Sequence, residues 1–165
     1  MIIEHNSARC CFRNPLGAVK TGECVMLRLR AENPDIRSVR IKTFFYNEST
    51  EYSMSRGASL WEKRITVPKT PGVLWYFFMI ETTQETLYMG PPMGHTQGEG
   101  VIYHQPPASF QLTVYDRDFD TPEWFRGKTM YQIFPDRFKR GNPENLVRGA
   151  AYHRAMGRTV VLPEN

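Results

Sequence analysis

The sequence has little cysteine, no long apolar run and no basic stripe. Its three cysteines, Cys10, Cys11 and Cys24, include an adjacent pair, whereas zinc sites use spaced pairs, so we expect buried reduced thiols and no metal. No stretch approaches the roughly 20 apolar residues that a membrane span needs. The opening "MIIEHNSARCC" lacks the long apolar region of a secretion signal. These absences predict a cytoplasmic protein without a membrane partner.

The net charge of +4 is unevenly distributed along the chain. Residues 1–118 hold 13 Lys/Arg against 12 Asp/Glu, and residues 119–165 hold 8 against 5. The larger part is therefore nearly neutral and lacks the clustered cations that bind phosphates. We expect no nucleic-acid partner.

Residues 1–118 have the pattern of an all-β fold. The segments "GECVMLRLR" (Gly22–Arg30) and "SFQLTVY" (Ser109–Tyr115) alternate apolar and polar residues, which is typical of half-buried strands. "VLWYFFMI" (Val73–Ile80) is apolar throughout and predicts a central strand. About 100 residues of short alternating strands predict an antiparallel immunoglobulin-like β-sandwich.

The pattern changes after residue 118. Residues 119–127 include an acidic, proline-containing stretch that predicts a linker, and Met130–Phe134 predicts a strand buried on both faces. Asn142–Gly157 begins with residues that cap and start a helix. Residues 128–165 therefore predict the start of a second, α/β domain.

The stretch "YQIFPDRF" (Tyr131–Phe138), followed by "GNP", resembles the first barrel strand of glycoside hydrolase family 13, the α-amylase superfamily. The resemblance is greatest to its cyclomaltodextrinase, neopullulanase and pullulanase branch. Asn14–Glu32, Pro71–Thr82 and Pro106–Gly127 resemble the N-terminal immunoglobulin-like domain of such enzymes, which is related to carbohydrate-binding module families 34 and 48. The resemblance implies that residues 128–165 are the first strand and following loop or helix of a TIM barrel, which typically takes about 250 residues.

This resemblance implies the accessory region of an enzyme that cleaves α-glucans with retention of configuration. Retention needs two carboxyl groups about 5–5.5 Å apart, and in the family these come from later barrel strands, so no catalytic residue is assigned here. The implied partners are α-glucan oligosaccharides or cyclodextrins and a second copy in a homodimer. The implied roles are substrate selection, barrel support or dimerisation. The alternative is a stand-alone immunoglobulin-like module that binds carbohydrate or protein.

Four aromatic residues are candidates for stacking on sugar rings: Trp61, Trp75, Tyr76 and Tyr103. The same alternation that predicts strands also favours a core position for Trp61. The two faces of Val73–Ile80 separate Trp75 from Tyr76, and both faces are expected to be covered.

The predicted barrel strand carries three further candidates. Tyr131 would border a sugar subsite or pack in the core. Asp136 and Arg137 would line the active site or, as we favour, form an ion pair that supports its floor.

Metal and cofactor binding are not expected. Some family members bind calcium in the loop after this strand, but here only Asn142 and Asn145 match the ligand pattern, beside Arg140. His95 and His104 are too isolated to indicate a metal pair. The Gly-rich segment Gly90–Gly100 lacks the features of a phosphate loop and predicts a flexible connection between strands.

Overall fold

The structure, a computed structural model, describes residues 2–57 and 60–134 of the chain. No helix occurs among these residues, and so none that could cross a membrane. The strands are β1 (Ile2–Glu4), β2 (Arg13–Asn14), β3 (Val19–Lys20), β4 (Cys24–Glu32), β5 (Ile36–Phe45), β6 (Glu48–Ser53), β7 (Ser55–Arg56), β8 (Leu60–Thr66), β9 (Gly72–Thr82), β10 (Thr86–Gly90), β11 (Val101–Tyr103) and β12 (Phe110–Tyr115).

The smaller sheet has five strands and is built around β4. Strand β8 pairs antiparallel with one edge of β4, from Cys24 opposite Thr66 to Arg30 opposite Leu60. The other edge is shared by β1 and β2. Strand β7 completes this sheet beside β8.

The larger sheet has seven strands and is built around β9. Strand β5 covers one edge of β9. The other edge is divided between β12, which pairs with Gly72–Tyr76, and β10, which pairs with Phe78–Glu81. Strands β6, β11 and β3 lie at the margins, and β3 runs parallel to β12. The central position predicted for Val73–Ile80 is thus confirmed, since this strand has neighbours on both edges.

The two sheets pack face to face around one hydrophobic core, so the predicted all-β, mainly antiparallel sandwich is confirmed. Alternate residues of each strand point inward, and the larger sheet supplies most of the rings. The core includes Val25, Leu27 and Leu29 of β4, Val39 and Ile41 of β5, Leu74, Tyr76, Phe78 and Ile80 of β9, and Phe110, Leu112 and Val114 of β12.

The prediction of buried thiols is wrong, because Cys10, Cys11 and Cys24 are all exposed. Cys10 and Cys11 lie in the turns that precede β2. Cys24 opens β4 on the side opposite to the buried Val25. At a strand end or in a turn, the direction of the backbone decides whether a cysteine side chain is buried, whatever its hydrophobicity.

Residues 121–134 belong to a second compact unit, since the first ends at Asp120. The strand predicted at Met130–Phe134 is wrong for this structure: residues 128–134 form no strand, and Met130, Tyr131, Ile133 and Phe134 are exposed by 52% to 80%. A strand needs a partner's backbone for its hydrogen bonds, and the structure describes no strand within residues 121–134 that could supply one. The boundaries predicted at 118 and 127 stay predictions.

Several sequence predictions lie outside the described residues. They concern Asp136, Arg137, Asn142, Asn145 and the helix at 142–157.

Candidate functional site

The outer side of the larger sheet carries a row of aromatic residues. Phe44 of β5 lies opposite Trp75 of β9, and Lys42 lies opposite Phe77. Because residues directly opposite each other in a sheet point to the same side, Phe44, Trp75 and Phe77 share the side that faces away from the core. We call these three residues the aromatic face.

Two rings of the aromatic face pack against each other, and one of them also packs against Tyr88. The ring centroids of Phe44 and Phe77 are 5.7 Å apart, and those of Phe77 and Tyr88 are 6.0 Å apart. The Lys42 ammonium lies 5.9 Å from the Phe44 centroid, within reach of a cation–π interaction. Phe77 is only 4% exposed although it points outward. The face is therefore a packed layer of rings.

A shallow depression of about 490 Å³ borders the aromatic face. Its opposite wall is formed by Pro106, Pro107 and Ser109, which precede β12. The Ser109 hydroxyl and the Trp75 indole N–H are the only polar side-chain groups in this lining. A sugar needs hydrogen-bond partners beside a stacking ring, so this depression suits an apolar surface better than a glycan.

A group of charged side chains adjoins the aromatic face on β5, β6 and β9. Arg40 donates hydrogen bonds to the carboxylates of Glu51, at 3.2 Å, and of Glu81. The Ser38 hydroxyl also donates to Glu81, at 2.6 Å. The Ser38 hydrogen bond, followed by the Arg40 charge, holds the pKa of Glu81 below its usual value. These partly exposed ion pairs link β5 to β6 and β9 and contribute little stability each.

The structure separates the four residues predicted to stack on sugars. Trp75 is half-buried on the aromatic face, and Tyr103 lies on the same side of the sheet, opposite Tyr88. The Tyr103 hydroxyl donates to the Pro91 carbonyl at 2.8 Å. A sugar-stacking role for these two residues stays a prediction.

Burial excludes the other two candidates from stacking on a sugar. Trp61 is 6% exposed in the smaller sheet, and Tyr76 is fully buried between the sheets. The Arg56 guanidinium lies 5.6 Å from the Trp61 ring. Each side chain falls on the inward parity of its strand, so the core position favoured for Trp61 is confirmed, and Tyr76 likewise belongs to the core.

Tyr76 belongs to a polar cluster inside the core that the sequence did not indicate. The fully buried His5 contacts the Tyr76 hydroxyl through Nε2 at 3.2 Å and donates from Nδ1 to the Arg28 carbonyl at 2.7 Å. The buried Arg13 donates to the Gln111 carbonyl at 3.0 Å, while its Nε has no hydrogen-bond partner. Phe78 and Phe110 surround the His5 ring.

Burial controls the protonation of this cluster. It lowers the pKa of His5 from 6.5 to about 4, with the Arg13 charge adding to the effect and the hydrogen bond to the Arg28 carbonyl opposing it. Burial also raises the pKa of the Tyr76 phenol well above its usual value, and Arg13 opposes this rise. His5 is therefore neutral and Tyr76 protonated at neutral pH, which lets the core hold both.

No sequence signal singles out His5 or Arg13, because each stands in a short segment without clear alternation. Tyr76 could have been assigned to the core from its spacing of two from Leu74 and Phe78. The described residues contain no cluster of three or more His, Cys, Asp or Glu that could hold a metal. His104 contacts the Glu85 carboxylate at 2.9 Å on the surface.

The chain is similar to amylopullulanases and to a neopullulanase. It is 38% identical to the amylopullulanase of Thermoanaerobacterium saccharolyticum over 152 residues, which cover 87% of this chain and 12% of that protein. It is 39% identical over 59 residues to neopullulanase 2 of Thermoactinomyces vulgaris, covering 30% of this chain and 10% of that protein. No protein-family model matches the chain.

A solved structure of a cyclomaltodextrinase shares the fold. Its TM-score is 0.50 with 22% sequence identity, and the match covers 89% of this chain and 25% of that one. The chain thus spans only a small fraction of these relatives. The resemblance inferred from Tyr131–Phe138 and the upstream segments is confirmed: the chain is homologous to the N-terminal region of amylopullulanases.

Proposed function

We propose that this chain, homologous over most of its length to the N-terminal region of amylopullulanases, is the accessory β-sandwich of a retaining, family 13 glycoside hydrolase that cleaves α-glucans. The main support for this proposal is the 38% identity to an amylopullulanase over 152 residues. A stand-alone interaction module would have no reason to carry "YQIFPDRF", which resembles a barrel strand.

The aromatic face supports the catalytic part of such an enzyme. Its depression is lined by rings and prolines with one hydroxyl, which is the chemistry of a protein–protein contact. The chain accounts for 12% of the amylopullulanase that it matches, so most of that relative's length is available to supply the opposing surface. Burying one such ring contributes about 1.5–3 kcal/mol.

A chimeric enzyme tests both the accessory role and the supporting face. This chain replaces its matching segment in the Thermoanaerobacterium saccharolyticum amylopullulanase, and cleavage of pullulan is followed as a function of temperature. We expect the chimera to retain activity. A Trp75→Ser substitution should destabilise the chimera by roughly 1.5–3 kcal/mol while the isolated sandwich, with the same substitution, loses less.

Met93→Ser serves as the matched control, because Met93 is an apolar residue outside the aromatic face that is 90% exposed. It should leave the thermal stability of the chimera unchanged. A folded chimera without pullulan cleavage would contradict the accessory role. Equal effects of Trp75→Ser on the chimera and on the isolated sandwich would contradict the supporting face.

A further inference from the structure

Tyr46 occupies an unusual position in the turn between β5 and β6. Phe45 pairs with Glu48, so Tyr46 and Asn47 form a two-residue hairpin loop. Tyr46 has a φ of +50°, which lies in the left-handed region that glycine and asparagine adopt most readily. Two-residue hairpin loops normally place Gly, Asn or Asp at such positions. A bulky side chain at this φ is strained and points to function.

Three contacts hold the Tyr46 side chain in place. Its hydroxyl donates to the Pro71 carbonyl at 3.1 Å. Its ring packs edge-to-face on Phe45, with centroids 4.6 Å apart. Gly72 leaves room for both rings, since a Cβ there would lie 2.9 Å from the Phe45 ring and 3.2 Å from the Tyr46 hydroxyl. Tyr46 nevertheless remains 76% exposed, so the fold holds an exposed ring in a fixed position.

Beside this ring, a cleft of about 610 Å³ opens at the end of the sandwich. This volume is within the range of about 300–1,000 Å³ that is typical of small-molecule sites. The cleft is lined by residues of both sheets. Ile65 and Leu74 lie at its buried end, while Tyr52, Asn47 and Thr70 contribute polar groups.

The chemistry of the lining, which includes the Glu48 carboxylate, disfavours an anionic ligand and suits one with both apolar and hydroxyl surfaces. None of the residues that line the cleft is Lys or Arg, so an anionic ligand would find no counter-charge there. Aromatic rings next to amide and hydroxyl groups match a pyranose ring, which has an apolar face and a polar edge. The Asn47 amide has both donor and acceptor atoms for sugar hydroxyls.

We propose that this cleft binds a short segment of α-glucan, with the Tyr46 ring stacked on one glucose unit. Asn47 and Thr70 then hydrogen-bond the sugar hydroxyls at the rim of the cleft. The choice of an α-glucan over other neutral sugars rests on the proposed function, whereas the site itself rests on the cleft and the strained tyrosine. A sandwich end filled only by water would gain nothing from a strained, exposed ring at this position.

The test is a nuclear magnetic resonance titration of the intact chain with maltotriose, β-cyclodextrin and, for comparison, cellotriose. We expect millimolar affinity for the two α-glucans, corresponding to about −4 kcal/mol, with the largest shifts at the amides of Asn47 and Thr70. Tyr46→Asn should weaken binding at least about tenfold, because asparagine tolerates the backbone conformation but provides no ring. Thr70→Val removes the Thr70 hydroxyl at similar side-chain volume, and it should also weaken maltotriose binding.

Trp75→Ser removes the ring of a rival stacking candidate on the aromatic face, and it should leave maltotriose binding unchanged. The proposal is overturned if no α-glucan binds at millimolar concentration, or if Trp75→Ser abolishes binding while Tyr46→Asn does not. Equal binding of cellotriose would overturn the assignment to α-glucans. Failure here is separate from failure of the accessory role, because the chimeric enzyme reports pullulan cleavage and stability rather than binding at Tyr46.

Discussion

At the residue scale, His5 is the group that links this fold to pH. Its pKa is lowered by burial from 6.5 to about 4, so the unfolded chain binds its proton at a higher pH than the folded chain does. The stability that depends on a neutral His5 is therefore fully present above pH 6.5, and it is lost as the pH falls from 6.5 towards 4. The free energy of unfolding should fall by about 2 kcal/mol between pH 7 and pH 5.

Urea denaturation at these two pH values measures this loss, and His5→Gln should remove most of it. The exposed His104→Gln serves as the control and should leave the difference unchanged. An identical pH dependence in the His5→Gln variant would show that other groups cause the loss. Because carboxylates titrate mostly below pH 5, they contribute little in this interval.

The residue scale is also where sequence reasoning succeeds least. The burial of His5 and Arg13 depends on which strands pass above them, and neither stands in a periodic run. Tyr46 precedes Asn47, which is a residue type common in two-residue hairpin loops. Its positive φ, however, depends on the pairing register of β5 and β6, which the residue types do not determine.

At the element scale, alternation predicted the strands well because burial on one face imposes a period of two. Strands β4 and β12 follow their predicted inward residues, such as Val25 and Leu112. The strand predicted at Met130–Phe134 is the exception. Its apolar residues need neighbouring elements on both faces to be buried. The sequence pattern does not show whether such neighbours are present.

The connection between β10 and β11 supplies an element-scale prediction. The Gly100 amide donates to the His5 carbonyl at 2.8 Å, and the Ser7 amide donates to the Gly98 carbonyl at 2.9 Å, so this Gly-rich segment is bonded to the N-terminal segment. At its start, a Cβ on Gly90 would lie 2.5 Å from the Ala108 carbonyl oxygen and 2.7 Å from Pro107. Gly90→Ala should therefore destabilise the sandwich by roughly 1–3 kcal/mol.

Gly94→Asn provides the control for this substitution within the same segment. A Cβ at Gly94 meets no atom within 4 Å, and asparagine tolerates its positive φ. Thermal unfolding followed by circular dichroism compares the two variants. If the Gly90→Ala protein were as stable as the Gly94→Asn protein, Pro107 and Ala108 would be able to move away from β10 and accommodate the added methyl group.

At the scale of the whole molecule, the sandwich presents two surfaces with different chemistry. The aromatic face is nearly free of polar groups and suits a protein surface, whereas the cleft beside Tyr46 combines rings with amide and hydroxyl groups. Sequence reasoning placed Trp75 among the candidates for sugar stacking but missed the cleft. The cleft residues come from β5, β6, β8 and β9 and from the β5–β6 and β8–β9 loops. Only the packing of the two sheets brings those segments together.

The carboxylate content of the cleft predicts that the chain alone does not hydrolyse α-glucans. Hydrolysis with retention requires two carboxyl groups held about 5–5.5 Å apart across the glycosidic bond, one of them protonated near neutral pH. The cleft lining contributes one carboxylate, Glu48, and one carboxylate cannot act as both nucleophile and acid. A reducing-sugar assay on pullulan, β-cyclodextrin and maltoheptaose should therefore show no turnover above the blank, with the chimeric amylopullulanase as the positive control. Turnover that follows the purified chain and disappears in an Asp136→Asn or Glu48→Gln variant would assign it an active site and contradict a purely accessory role.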